Sequence, residues 1–269
     1  MHAPNSGARY EARHGQWYHT AVRTPTRDGA IRVTPHSCPA VQPKCHAKGA
    51  TPMDCCEREG QCQGIEERFD TDAGAQKLRA YLRNGPDRTT RLLVDALRAE
   101  GVADATLLDI GGGIGAIQLE LLESGLRSAT DVDAASGYLA VAREEAARRG
   151  YDGRVTYHHG DFVALAGELE PADIVTLHRV ICCYHDMPAL VGASVAKARR
   201  LYGVVYPRDD WWVRLSMAAE NFGEWIQRSS FRAFVHPTRA VDGMIRDAGF
   251  ERRFFHRGAV WQVVVYARG

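Results

Sequence analysis

The stretch Asp109-Ile110-Gly111-Gly112-Gly113-Ile114-Gly115 constrains the fold of this chain more than any other. It follows the apolar run Ala105-Thr106-Leu107-Leu108, which reads as a short buried strand. It precedes Ala116-Ile117-Gln118-Leu119-Glu120-Leu121-Leu122, whose apolar residues recur at helical spacing. A strand, an acid, alternate glycines and a helix in that order set a tight turn at the carboxyl end of a strand. Gly111 and Gly113 free the backbone for the turn and admit a ligand close to the main chain, and Gly115 lets the helix pack near the strand.

The rest of the chain repeats the alternation of strand and helix. A helical pattern begins at Glu66, runs through Ala75 to Arg83 and stops at Asn84-Gly85-Pro86. A second helix, with Pro86 suited to its first position, carries Leu92, Leu93, Ala96 and Leu97 and ends near Gly101. After the glycine turn, Ser128 to Val132 reads as a strand ending at Asp133, followed by a helix from Ser136 to Arg149. Val155 to His159 reads as a third strand leading to Gly160-Asp161-Phe162, and Asp173 to Leu177 as a fourth. A helix through Leu190 to Ala198 and a strand from Leu201 to Tyr206 follow. Such alternation specifies a parallel sheet covered by helices on both faces. The ending differs: a helix from Pro237 to Ala248 precedes two strands, Arg252 to His256 and Val260 to Ala267, whose tight connection makes them antiparallel.

The order Asp-x-Gly-x-Gly-x-Gly resembles motif I of the class I S-adenosylmethionine-dependent methyltransferases. Gly111-x-Gly113-x-x-Ala116 also fits a dinucleotide fingerprint, so an NAD-dependent oxidoreductase is the main competing reading. Asp109 favours the methyl donor, because it would face the donor's methionine part, where a pyrophosphate would not welcome a carboxylate. Asp133, eighteen positions after Gly115, is placed to accept both ribose hydroxyls, a role the two families share. In the resembled family an acid at the place of Asp161 takes the adenine amino group, and the next residue, here Phe162, lies against the ring. The resemblance covers about Glu66 to Gly269. It implies S-adenosylmethionine as cofactor and an α/β fold, a Rossmann-like seven-stranded mostly parallel sheet with a C-terminal antiparallel hairpin and helices on both faces. His178-Arg179-Val180-Ile181-Cys182-Cys183-Tyr184-His185-Asp186 is similar to the motif after strand four in the ubiquinone and menaquinone methyltransferases, which commonly have histidine where Cys183 stands and proline where His185 stands. Tyr206-Pro207-Arg208 and the insertion after it resemble the magnesium-protoporphyrin methyltransferases.

Methyl transfer from a sulfonium is an in-line displacement, helped by alignment and exclusion of water, and it needs a base only when the nucleophile arrives protonated. The segment after strand four faces both donor and acceptor in such a sheet, so His178, Tyr184 and His185 are candidate bases or orienting groups. Each also has a purely structural reading: His178 can bond backbone at a strand end, and His185 can join Asp186 in capping the next helix. The aromatic stretch from Trp211 to Ile226 has apolar residues at helical spacing and is expected to pack on the domain; in the resembled family an insertion here often roofs the acceptor.

The seven cysteines are Cys38, Cys45, Cys55, Cys56, Cys62, Cys182 and Cys183. A thiol-directed reading gathers Cys55, Cys56, Cys62, Cys182 and Cys183 around the acceptor, where they would hold a metal, a metalloid or a sulfur-bearing substrate. Against it, the Cys55-Cys56-x5-Cys62 spacing matches no zinc ribbon, and Cys182 and Cys183 can be small buried apolar groups. A donor-binding or metal-sensing regulator without turnover is a further alternative.

Across 269 residues, an apolar share of 45% and a charged share of 25% suit a globular protein, and the net charge of +1 gives no reason to expect a nucleic-acid or membrane partner. A small-molecule acceptor is the expected partner. No apolar run approaches membrane-spanning length and no signal-like h-region is present, so a cytoplasmic location is expected. Residues 1–52, with six prolines and seven Lys/Arg against two acids, read as a disordered leader. Residues 53–101 then form a Cys-containing N-terminal helical cap, and 102–269 the methyltransferase domain with a lid insertion at about 208–236.

Overall fold

The computed structural model describes residues 63–269, so the expectations for residues 1–52 and for Cys38, Cys45, Cys55, Cys56 and Cys62 lie outside the described residues. Residues 63–68 are helical and lead into two helices, α1 (Thr71–Asn84) and α2 (Arg88–Ala99). The α/β body follows in the order β1 (Thr106–Ile110), α3 (Ala116–Glu123), β2 (Ser128–Asp133), α4 (Ser136–Arg148), β3 (Val155–His159), the short α5 (Phe162–Leu165) and β4 (Ala172–His178). A 3₁₀ turn at Ile181–Cys183, α6 (Met187–Lys197), β5 (Ala198–Pro207), α7 (Trp211–Ile226), α8 (Thr238–Asp247), β6 (Phe250–Arg257) and β7 (Trp261–Arg268) complete it.

The strands form one seven-stranded sheet in the order β3-β2-β1-β4-β5-β7-β6. β1 to β5 run parallel, and β7 inserts antiparallel between β5 and β6. The expected mostly parallel sheet with an antiparallel C-terminal pair is borne out. One local expectation is corrected. Pro86 does not open α2; Asp87 caps it, because its carboxylate captures the Thr89 and Thr90 amides that the first helical turn leaves free.

Strand alternation divides the core between the two faces. Leu108, Ile110, Val175, Leu177 and Val204 point toward α6 and α8, while Leu107, Ile174, Val205 and Val263 point toward Leu93 and Leu97 of α2 and Ile117 and Leu121 of α3. The same alternation directs Asp109 onto the α2–α3 face, which decides its environment below. Among the described residues no helix is long and apolar enough to cross a membrane.

The expectation that the aromatic stretch of α7 packs on the domain holds for one face only. Val213, Met217 and Glu224 are buried, but Trp211, Leu215, Phe222, Trp225 and Ile226 are exposed. The segment is more apolar than one buried face requires, and the surplus side chains turn outward.

Candidate active site at the carboxyl ends of the strands

β1 and β4 are neighbours in the sheet, and from them the chain crosses over in opposite directions, so the loops that follow them part and leave a crevice. The glycine turn after β1 forms one wall. Gly111 and Gly113 take φ of 64° and 61°, in the left-handed region that a side chain disfavours. At Gly111 space forbids one as well, since a Cβ would lie 2.4 Å from Cγ2 of Val180. The Gly111 N–H donates to the Val132 carbonyl at 2.7 Å, which ties the turn to β2. Gly115, also left-handed at 75°, opens α3 but is not on the crevice wall.

The crevice encloses a cavity of about 380 Å³. Asp133, at the end of β2, lines it and accepts N–H groups from Gly113 and Ala135 at 2.9 and 2.8 Å; burial raises its pKa above the usual carboxylate range. Asp161 and Phe162, after β3, line it next. The Asp161 carboxylate caps α5 through the Val163 N–H and accepts the Tyr184 hydroxyl at 3.0 and 3.1 Å. Val132, Ala134 and Tyr138 complete this pole. A second cavity of about 390 Å³ shares Lys77, Gly111, Gly113 and His178 with the first.

Asp109 departs from its expected place. It is wholly buried behind the turn, where Thr176 Oγ1 and Gln118 Nε2 donate to its carboxylate at 2.7 and 3.2 Å, and it lines neither cavity. The cause is strand alternation: with Ile110 on the crevice side, its neighbour must point beneath α3. Its register partner Asp131 is buried beside it, and among the described residues neither oxygen of that carboxylate has a hydrogen-bond partner. Burial pushes Asp109 up to about 6, and burial together with the facing carboxylates holds Asp131 well above the ordinary range.

The three candidate catalytic residues all line the cavity. His178 is half-buried at the end of β4, its Nε2 within 3.0 and 3.2 Å of the Thr89 and Thr90 hydroxyls. Desolvation and the Arg179 charge lower its pKa to about 3, so its imidazole is neutral. Tyr184 is engaged by Asp161. The His185 ring stacks on Tyr184 at 5.9 Å and meets Phe234 at 6.4 Å, and its nitrogens make no hydrogen bond among the described residues. His236 supports this ladder, stacking on Phe234 and bonding the Tyr184 carbonyl at 2.8 Å.

Cys182 and Cys183 also line the cavity, with their sulfurs 3.8 Å apart and both directed at the Arg179 carbonyl. The neighbouring thiol and burial push the Cys183 pKa far up, so it stays protonated. Among the described residues no group of three or more His, Cys, Asp or Glu side chains could hold a metal ion.

Several cavity residues carry no motif and escape a sequence reading. Arg179 adopts a left-handed φ of 62°, lays its guanidinium 4.8 Å from the Trp261 ring centroid, donates to Thr89 Oγ1 at 3.0 Å, and leaves its buried Nε without a partner among the described residues. Lys77 is exposed as a residue, yet its ammonium stands 5.4 Å from the Tyr138 ring centroid, and desolvation by the surrounding walls lowers its pKa. Arg68 reaches α7, pairing with Glu224 and, at 3.3 Å, with Glu220. The left-handed Arg179 follows a β-strand with no glycine to mark it, and the others come from elements far apart in sequence.

The arrangement fits an adenosyl sulfonium donor. It offers a turn whose Gly111 Cβ would clash, an acid at the end of β2, and an acid followed by a buried phenylalanine after β3. Residues 107–201 match the family model described as a methyltransferase domain. A search of curated protein sequences finds no match. Among solved structures, magnesium protoporphyrin IX methyltransferase from Synechocystis PCC 6803 with bound S-adenosylhomocysteine is 16% identical, with a TM-score of 0.60, covering 76% of this chain and 98% of that one. An O-methyltransferase family protein from Burkholderia thailandensis is 20% identical, with a TM-score of 0.54, covering 80% of this chain and 68% of that one. An O-methyltransferase family 2 protein from Planctomyces limnophilus in complex with apigenin is 16% identical, with a TM-score of 0.50, covering 69% and 63%. Residues 107–201 thus match a methyltransferase domain, and they lie in a seven-stranded sheet with the fold of the class I S-adenosylmethionine-dependent methyltransferases.

Proposed function

We propose that the protein methylates a small, planar, partly apolar molecule held beneath α7. One observation carries this reading. The cavity that begins at Asp133, Asp161 and Phe162 continues without interruption to a second pole built from Cys182, Cys183, His185, Met217, Phe231 and Trp261. Apolar and aromatic walls with a few polar groups suit a ring-shaped acceptor of modest size. The neighbour bound to apigenin accommodates such a ligand on the same fold.

The donor supplies a methyl group on a sulfonium, which needs no metal and leaves as a neutral thioether. In this reading Asp133 takes the ribose hydroxyls, Asp161 the adenine amino group, and Phe162 the face of the ring. Asp109 has no direct part; with Gln118 and Thr176 it sets the floor under the turn. Residues 208–236 act as a lid, with Met217, Phe231 and Ala233 on the acceptor and Arg68 pinning α7 to the N-terminal helical segment. His185 accepts the proton when the nucleophile is a hydroxyl or an amine. His178 only orients, because desolvation of its ring and the Arg179 charge keep it from taking a proton near neutral pH.

Incubating the protein with S-adenosylmethionine and fractionated small-molecule extracts, then searching for new methylated masses, tests the reading. A methylated planar product, formed together with S-adenosylhomocysteine, is the expected result. Methyl transfer only to protein or nucleic acid would overturn it.

A further inference from the structure

The outer face of α7 is the most apolar exposed surface among the described residues. Of the seven large hydrophobic side chains exposed there, five stand on this one helix: Trp211, Leu215, Phe222, Trp225 and Ile226, each 60–76% exposed. Trp211, Leu215, Phe222 and Ile226 follow at steps that keep to one side of a helix. With about 150–250 Å² on each aromatic side chain, the stripe presents roughly 600–700 Å² of apolar surface. A monomer tolerates exposed patches of a few hundred Å², and a stable pair needs roughly 800 Å² on each partner.

The stripe is also symmetric along its own length. Trp211 and Ile226, and inside them Leu215 and Phe222, are equidistant from the midpoint between Ala218 and Ala219. A two-fold axis through that midpoint sets Trp211 against the partner's Ile226, Leu215 against the partner's Phe222, and alanine on alanine at the crossing, where small side chains let two helices approach. Isologous contacts need this self-complementarity. The helix and its cap carry Asp210, Glu220 and Glu224 against Arg214, so it lacks the basic flank that an anionic lipid surface selects.

We propose that two copies of this chain pair antiparallel through α7. The opposite face of the same helix carries Met217 and Glu220 on the cavity wall, so pairing would hold the roof of each cavity in place.

Sedimentation velocity on the full chain at micromolar concentration tests this. The wild type should sediment as a dimer of the 29.7 kDa chain, and Leu215→Arg and Phe222→Glu should each sediment as monomers. Both side chains are exposed in the single copy, so both variants should keep the wild-type melting temperature and S-adenosylhomocysteine affinity. Leu82→Glu, exposed elsewhere, should remain a dimer. Mixing the two monomeric variants should restore a dimer, because the antiparallel register sets the new arginine against the new glutamate and leaves the other half of the contact intact. A monomeric wild type would overturn the proposal, as would dimers that survive both substitutions. A monomer that floats with phosphatidylcholine–phosphatidylglycerol vesicles would overturn it in favour of a lipid surface. Failure of the mixture to pair would overturn the antiparallel register.

Discussion

Asp133 accepts the Gly113 N–H through one oxygen at 2.9 Å and the Ala135 N–H through the other at 2.8 Å. The end of β2 thus fixes the middle of the glycine turn and the start of α4 with a single carboxylate. The hydrogen bonds offset part of the cost of burying that charge, and burial still leaves the pKa raised.

Removing that carboxylate should act on the donor more than on the fold. A hydrogen bond to a charged group is worth about 1.5–3 kcal/mol, so Asp133→Ala should weaken S-adenosylhomocysteine binding roughly 10–100-fold by calorimetry. Gly113→Val should do the same by another route. The nearest atoms a Cβ would meet, on Tyr138, lie at 3.5 and 3.7 Å, so the cost is the left-handed φ imposed on a branched side chain. Wild-type affinity in both variants would remove Asp133 and the turn from the donor site.

Beneath the turn, Asp131 and Asp109 predict an unusual pH response. A carboxyl whose folded pKa lies above its unfolded value binds more protons in the folded state, so its contribution to stability is present below about pH 4 and lost as pH rises through the folded value. For Asp109 that window runs up to about 6. Asp131→Asn removes one of the two facing acids and keeps the shape. Its melting temperature at pH 8 should exceed that of the wild type by about 2–4 °C, the shift expected from roughly 1 kcal/mol in a domain of this size. The gain should shrink toward pH 4. An equal shift at both pH values would show that charge is not the cause.

The architecture was legible because hydrophobic periodicity and turn residues mark parallel strands and helices locally, and the glycine run marks the crevice. Asp133, Asp161 and Phe162 could be placed because each follows directly from a strand end. Asp109 could not, since an acid two residues before a glycine says nothing about which side of the sheet it faces until the packing of Ile110 settles the alternation. The outward face of α7 was likewise hidden: an apolar helical stripe reads the same whether its own domain or nothing in the chain covers it. Arg179 and Trp261 meet only because β7 inserts beside β5 and brings its first residue over the end of β4.

The two cavity thiols should be chemically quiet. With Cys183 held protonated by its neighbour and by burial, alkylation by iodoacetamide at pH 8 should be much slower than for a free thiol, and slower still with S-adenosylhomocysteine bound. Cys183→Ser should keep donor affinity within about twofold, since its sulfur is set against Cys182 and the Arg179 carbonyl and serine keeps the size and a donor there. Tight arsenite or zinc binding lost in that variant would revive a thiol-centred acceptor site.

The two histidines differ in what surrounds them, and kcat of their variants separates them. His178 is held by the Thr89 and Thr90 hydroxyls with Arg179 nearby, and desolvation and that charge lower its pKa to about 3, so it is neutral near pH 7. Its loss should therefore change donor affinity or stability. His185 lies against two aromatic rings and makes no hydrogen bond through its nitrogens among the described residues, and the proposed reading gives it the acceptor's proton. His185→Gln should lower kcat by about 10²–10⁴ with an acceptor that reacts through a hydroxyl or an amine. S-adenosylhomocysteine affinity should stay near the wild-type value. If instead His178→Gln lowers kcat by that much and His185→Gln leaves it intact, the proton goes to the His178 imidazole and the roles assigned to the two residues are reversed.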